Sequence, residues 1–289
     1  MADPVRIFEV GPRDGLQNEK AHIATRDKIA LIDLLSVAGF DRIEATSFVS
    51  PRWVPQLADA AEVMAGITRV PSVGYAVLTP NLKGFERALA AGADEVAVFA
   101  SASEAFSLKN INCSVEESLA RFNPLMAAAR RAGIPVRGYV SCALECPYSG
   151  AVYPSAVRDV AGALQEMGCY EISLADTIGR APPEATRAML AAVLGVIPAA
   201  RLAGHFHDTS GQALANVEVA LEMGLRVFDS AIGGLGGCPY APGAKGNLST
   251  TALVSMLEDR GFATGLNRSR LTEAERLVAE LAQEKEIEQ

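Results

Sequence analysis

Short runs of apolar, often β-branched residues alternate along the chain with longer stretches whose apolar positions recur at helical spacing. The pattern predicts eight strands, near Val5–Val10, Arg42–Ala45, Ser72–Val77, Glu95–Phe99, Val136–Val140, Tyr170–Leu174, Arg201–Phe206 and Arg226–Ala231. Between and after them it predicts helices near Arg26–Ala38, Pro55–Met64, Leu82–Ala91, Val115–Arg131, Ala156–Met167, Pro183–Val196, Gln212–Glu222 and Leu248–Asp259. Five of these helices stop at a glycine just before the next strand: Gly39, Gly92, Gly133, Gly168 and Gly224. Glycine past a helix end adopts the left-handed conformation that satisfies the last carbonyls, so these are repeated αβ turns and not domain linkers. Eight βα units in an undivided chain predict a (β/α)8 TIM barrel over residues 5–260, more readily than a doubly wound sheet. Residues 261–289, with a charged helix near Leu271–Glu288, read as a C-terminal helical tail packed on or near the barrel, the whole of 1–289 being one catalytic domain.

Composition narrows the class of protein without naming it. Alanine and aliphatic residues dominate over aromatics, which suits helices packed closely on a sheet. A net charge of −8 argues against a nucleic-acid surface, which would cluster basic residues against phosphate. The five cysteines are scattered, odd in number and without a CxxC pair, so reduced thiols in the cytoplasm are the simplest reading. The start, Met1 to Arg6, has neither signal-peptide nor transit-peptide character. The apolar run Ala188–Ala200 is interrupted by Pro198 and too short to span a bilayer, so no membrane partner is expected.

Catalysis in such barrels sits at the C-terminal strand ends, and several of those ends are polar. The seventh strand ends in His205-Phe206-His207-Asp208, and residues two apart in a strand face the same way, so both imidazoles converge. Taken alone, HxH is read equally well as a metal-ligand pair or as two hydrogen-bonded strand-end histidines. Asp14, after the first strand, and Asn247, before the eighth helix, reach the same mouth. Two nitrogens, a carboxylate and an amide oxygen fit an octahedral divalent ion, magnesium or manganese, better than structural zinc. Glu44, inside an apolar strand, needs a cationic partner, and Arg13 on the neighbouring strand end is the obvious one. Asp176 ends the sixth strand. The loop after the eighth strand carries Gly233, Gly234, Gly236 and Gly237 before Cys238, without the spacing of a nucleotide-phosphate loop; a mobile lid bringing Cys238 into a closed site is favoured over an inert buried thiol. Cys142 and Cys146 are read as inert buried thiols, and His22 as a loop residue.

Laid out in order, these stretches closely resemble the 3-hydroxy-3-methylglutaryl-CoA lyase family. The matching segments are Val10 to Glu19, Glu44 to Pro51, Ala175 to Gly179, His205 to Thr209, and Gly233 to Asn247 with its Gly237-Cys238-Pro239-Tyr240 motif. The resemblance implies metal-dependent retro-Claisen cleavage of 3-hydroxy-3-methylglutaryl-CoA to acetyl-CoA and acetoacetate, as in leucine degradation. It implies that Arg13 faces the thioester oxygen and stabilises the enolate, that Glu44 orients Arg13, and that Cys238 protonates the product carbanion. Asp14, Asp176 and His205 compete for the role of base. Arg13, Gln17 and Ser47 would bind substrate, and Asp14, His205, His207 and Asn247 would hold the metal.

The chain departs from the family's pattern in places. Thr251-Ala252 stands where an acidic residue is common, so any charge needed there is absent or comes from elsewhere. The organellar leader and extra C-terminal cysteine of animal members are missing, which implies a compact bacterial, cytosolic version. An acyl-CoA partner and, from the family's habit alone, a homodimer are implied. Three alternatives compete: a lyase for a longer-chain 3-hydroxyglutaryl-CoA such as the 3-isohexenyl derivative, an acyl-CoA condensing enzyme running in the bond-forming direction, and a non-catalytic acyl-CoA-binding barrel.

Overall fold

The computed structural model describes residues 2–17, 19, 21–236 and 246–287, with side chains as far as Leu281. Its strands are β1 (Arg6–Glu9), β2 (Arg42–Ser47), β3 (Gly74–Leu78), β4 (Glu95–Ser101), β5 (Val136–Ser141), β6 (Glu145–Cys146), β7 (Gly150–Ala151), β8 (Glu171–Asp176), β9 (Leu202–Phe206) and β10 (Val227–Ser230). Apart from the small β6–β7 hairpin, they form a closed parallel barrel in which β1 pairs with both β2 and β10. The eight expected strands are therefore the barrel. Helices α1 (Thr25–Ser36), α2 (Ala60–Gly66), α3 (Leu82–Ala90), α5 (Val115–Ala132), α6 (Pro154–Met167), α7 (Pro183–Leu194), α8 (Ala213–Glu222) and α9 (Thr250–Asp259) follow the barrel strands in turn. All five turn glycines have positive φ, from 70° at Gly133 to 109° at Gly168. The main core lies between the strands' outer faces and the helices, where residues such as Ile32, Val77, Val98, Ile172 and Leu253 are fully buried.

Three features differ from the sequence expectation. The helix expected over Pro55–Met64 splits into a short 3-10 turn, Pro55–Leu57, and α2. Tertiary polar contacts account for the break: Gln56 is buried, accepting the Ile23 amide at 3.0 Å and donating to Ala21 O at 2.6 Å, while Asp59 pairs with Lys28 at 2.8 Å. A further helix, α4 (Glu104–Ile111), occupies a stretch expected to be loop; Ser103 caps it by accepting from the Phe106 amide, and it ends at left-handed Asn112. The β6–β7 hairpin is likewise additional. The last helix, α10 (Arg268–Ile287), begins three residues earlier than expected; it lies against α1 and α9, with Leu271, Ala274 and Val278 buried. No helix of the described residues is long and apolar enough to cross a membrane.

Candidate active site

After β1 the backbone makes a tight turn, Gly11–Gly15, in which the amides of Arg13, Asp14 and Gly15 all converge on Val10 O, at 3.2, 2.8 and 3.2 Å. The turn sets Arg13 and Asp14 at the barrel mouth. Gln17, one further step along, is half-buried. Arg13 is almost fully enclosed: Nε donates to Glu44 Oε2 at 2.7 Å, Nη2 lies 2.6 Å from the same oxygen, and Nη1 donates to Asp14 Oδ1 at 2.5 Å. Burial alone would weaken its charge, but Glu44 and Asp14 outweigh it and raise the guanidinium pKa, so Arg13 is a fixed cation. Glu44 is the expected partner, and burial, opposed by Arg13, raises its carboxyl above the usual range.

Asp14 also faces both histidines, its Oδ2 lying 3.8 Å from His205 Nε2 and 3.8 Å from His207 Nε2. Successive strand alternation does bring the imidazoles together, with ring centroids 5.3 Å apart. Asn247 arrives by a separate route. The segment around it runs antiparallel to the end of β9, bridged at His207 and Asn247, with the Asp208 amide donating to Gly246 O at 2.8 Å and the Leu248 amide to Phe206 O at 3.1 Å. Asn247 Nδ2 donates to Asp14 Oδ2 at 2.9 Å and to Leu235 O at 3.1 Å, which fixes the orientation of its amide beside Asp14.

Donor atoms of Asp14, His205 and His207 lie within 4.8 Å of one another. Burial works to raise the Asp14 carboxyl, but Arg13 and the two histidines hold it well below the ordinary range, so it is ionised as a ligand must be. These residues fit a divalent ion: three donor atoms, one carboxylate oxygen and two imidazole nitrogens, gathered at one point. His205 is also held from behind by a carboxylate. Its Nδ1 donates to Asp229 Oδ2 at 3.1 Å, and that carboxyl, which burial would raise but Arg137 and His205 bring down to about 2, can only accept. Its Nε2 is thereby turned toward Asp14.

Asp229, Arg137 and Tyr139 back the site, and the sequence reading passed over them. Arg137, fully buried inside the barrel, grips Asp229 through two nitrogens at 3.0 and 2.7 Å, bonds Glu171 at 2.8 Å and donates to Tyr139 Oη at 3.0 Å. Tyr139 Oη in turn donates to Glu44 Oε2 at 3.1 Å. One polar network thus ties the His205 end of the site to the Arg13 end. The signal was available: each is a polar residue within an apolar strand, the feature that singled out Glu44.

Ser47 reaches the site through an irregularity. The β2–β3 register runs Glu44↔Ala76, then Thr46↔Val77 and Ser47↔Leu78, so Ala45 is bulged. Ala76 packs with Phe8 and Val10, and Leu78 with Ala97 and Tyr139, which marks the barrel interior. Ser47, three residues after Glu44 instead of two, therefore shares its face. Among the described residues, Ser47 Oγ and Glu44 Oε1 are buried without a hydrogen-bond partner. Such atoms await a ligand or water. Asp176 stands at the end of β8, its two oxygens accepting the amides of Gly179 and Ala181, each at 3.1 Å; burial raises its carboxyl, against those amides and His207.

The glycine loop begins in a 3-10 turn, Ile232–Gly234, with Gly233 and Gly234 at φ 64° and 65°. Gly236 lies directly on the site: a Cβ there would meet Asn247 Nδ2 at 2.8 Å. Gly237 and Cys238 fall outside the described residues. At the other end of this region Thr251 Oγ1 donates to Glu275 Oε1 at 2.5 Å, so the carboxylate beside this position comes from α10.

A closed parallel barrel bearing an enclosed arginine–carboxylate pair beside an imidazole–carboxylate cluster at its C-terminal mouth defines a barrel enzyme with a divalent-metal site. The chain belongs to the HMGL-like family, whose model matches residues 4–278. It is similar to the mitochondrial hydroxymethylglutaryl-CoA lyase of Rattus norvegicus, 61% identical over 270 residues, covering 93% of this chain and 83% of the relative. Among solved structures, the HMG-CoA lyase of Brucella melitensis is 59% identical with a TM-score of 0.97, covering 98% of this chain and 100% of that one. An HMG-CoA lyase from Acinetobacter baumannii in complex with coenzyme A and 3-methylmalate is 41% identical with a TM-score of 0.92, covering 96% and 91%.

Proposed function

We propose that the protein is a hydroxymethylglutaryl-CoA lyase, cleaving 3-hydroxy-3-methylglutaryl-CoA into acetyl-CoA and acetoacetate. The observation that carries this reading is the juxtaposition of a buried, permanently charged Arg13 with the Asp14, His205, His207 and Asn247 cluster. The longer-chain alternative is not favoured, since the relatives at high identity bear the hydroxymethylglutaryl-CoA lyase name. Catalysis needs a base for the C3 hydroxyl proton, a stabiliser for the thioester enolate formed as the carbon–carbon bond breaks, and an acid for the enolate carbon. A bound Mg2+ or Mn2+ supplies Lewis acidity toward the substrate's oxygens, held by Asp14, His205, His207 and Asn247. Arg13, fixed by Glu44, offers its charge to the enolate oxygen. Ser47 and Gln17 bind substrate. The hydroxyl proton goes to one of Asp14, Asp176 or His205, and Cys238 returns a proton to the carbanion. The whole chain acts as one catalytic unit, the last helix supporting the barrel, and works as a cytoplasmic homodimer; the four described cysteines are free thiols, which suits a reducing compartment.

Dialysis against a chelator, followed by an assay for acetoacetate release, is expected to abolish activity, with Mg2+ or Mn2+ restoring it. Activity indifferent to the chelator contradicts the reading. Cys238→Ala is expected to lower kcat by about 10²–10⁴, the range for loss of a general acid, while Mn2+ affinity stays unchanged. A collapse of Mn2+ affinity instead would make the thiol a ligand.

A further inference from the structure

Glu9 has no part in the chemistry above, yet it is fully buried and every one of its partners borders the site. Its Oε1 accepts the Gly11 amide at 2.8 Å and the Ile232 amide at 2.9 Å, and its Oε2 accepts from Thr250 Oγ1 at 2.7 Å. The three partners belong to three separate stretches of chain. Gly11 opens the turn that bears Arg13 and Asp14. Ile232 opens the turn leading to Leu235, whose carbonyl holds Asn247. Thr250 opens α9, three residues after Asn247. The fit depends on glycine at position 11, because a Cβ there would come within 2.6 Å of Glu9 Oε1. A carboxyl placed in an apolar interior is costly, and simple packing would be served by an aliphatic residue.

We propose that Glu9 is a positioning residue, the crosspiece that locks the Arg13–Asp14 turn, the start of the glycine loop and the Asn247 segment into one frame, so that the metal ligands come preassembled. The inference rests on the reading of Asp14, His205, His207 and Asn247 as the ligand set. Gln at position 9 can reproduce the same bonds. Its oxygen accepts both amides and its Nε2 donates to Thr250 Oγ1, which passes its own proton to Ser230 Oγ, 2.8 Å away. Burial already raises the Glu9 carboxyl to about 7, so the neutral form is one the site accommodates.

The test measures Mn2+ affinity by electron paramagnetic resonance, kcat and KM, and hydrogen exchange at Gly11 and Ile232, in the full-length protein. Glu9→Gln is expected to stay within about threefold of wild type in every readout. Glu9→Ala is expected to weaken Mn2+ binding about tenfold or more, the scale seen when support behind ligands is removed, to lower kcat at saturating Mn2+ and substrate more than it raises KM, and to speed exchange at both amides. Thr250→Val, which removes one of the three bonds and keeps the shape, is expected to shift Mn2+ affinity in the same direction by a smaller factor, and it decides the matter if Glu9→Ala does not fold. Wild-type Mn2+ affinity and kcat in folded Glu9→Ala, or in Thr250→Val where that variant stands alone, overturn the inference while leaving the ligand set intact. A wild-type protein that binds no Mn2+ removes the ligand set and this inference together.

Discussion

Arg13→Gln is expected to lower kcat by about 10²–10³ with KM little changed, the signature of an interaction made mainly in the transition state. The charge on the enolate oxygen grows only as the bond breaks, so a fixed cation there acts on the barrier more than on substrate binding. Arg13→Lys is expected to recover little. The guanidinium engages Glu44 through Nε and Nη2 while Nη1 holds Asp14, a fork that an ammonium cannot span. Folding should survive either change. Without the guanidinium the Glu44 carboxyl, pushed up by burial, keeps its bond from Tyr139. Steady-state kinetics together with thermal melts check this; a large rise in KM at unchanged kcat would assign Arg13 to ground-state binding.

Asp229→Ala combines a stability loss with a metal-affinity loss. Four donors face that carboxylate: two nitrogens of Arg137, Ser173 Oγ at 2.8 Å and His205 Nδ1. Removing it strips the buried Arg137 of its bidentate partner and leaves it the Glu171 pair, a cost of up to about 3–5 kcal/mol. His205 also loses the bond that fixes its tautomer, and Mn2+ affinity should fall about 10–100-fold. Asn is a poor substitute because its amide would turn donors toward donors. The pH dependence has a defined sign. With its pKa lowered from 3.8 to about 2, Asp229 contributes stability that is fully present above the unfolded value and is lost as pH falls through the folded one. Urea unfolding should therefore show a stability gap between wild type and variant that is constant at neutral pH and narrows only below about pH 4. A gap that closed near pH 6 would place the titration on another group.

The barrel was legible because strands buried on both faces read as continuous apolar runs, and because αβ turns demand a left-handed residue. The convergence of His205 and His207 followed from strand alternation alone. What lay out of reach was contact across the barrel. Asp229 sits beside His205 only through the β9–β10 register, and Arg137 meets Asp229 from 92 residues away. Sequence nonetheless contains a clue to them: Glu9, Arg137 and Asp229, like Glu44, are charges within apolar strands. The break at Pro55 was hidden for a different reason, since the apolar spacing there is helical and the buried Gln56 amide overrides it.

The Ala45 bulge bears on how a closed sheet accommodates an extra residue. A barrel strand is held by its pairing at both ends, so most insertions would flip a whole face and destroy the core. Here the extra residue is absorbed between Glu44 and Thr46, and pairing with β3 resumes immediately. Upstream, the Glu44 anchor is untouched; downstream, Thr46 and Ser47 pair with Val77 and Leu78, so it is Ser47 and not Thr46 that shares the face of Glu44. The strand thus holds one residue more than its neighbour, and the cost is confined to a single unpaired position.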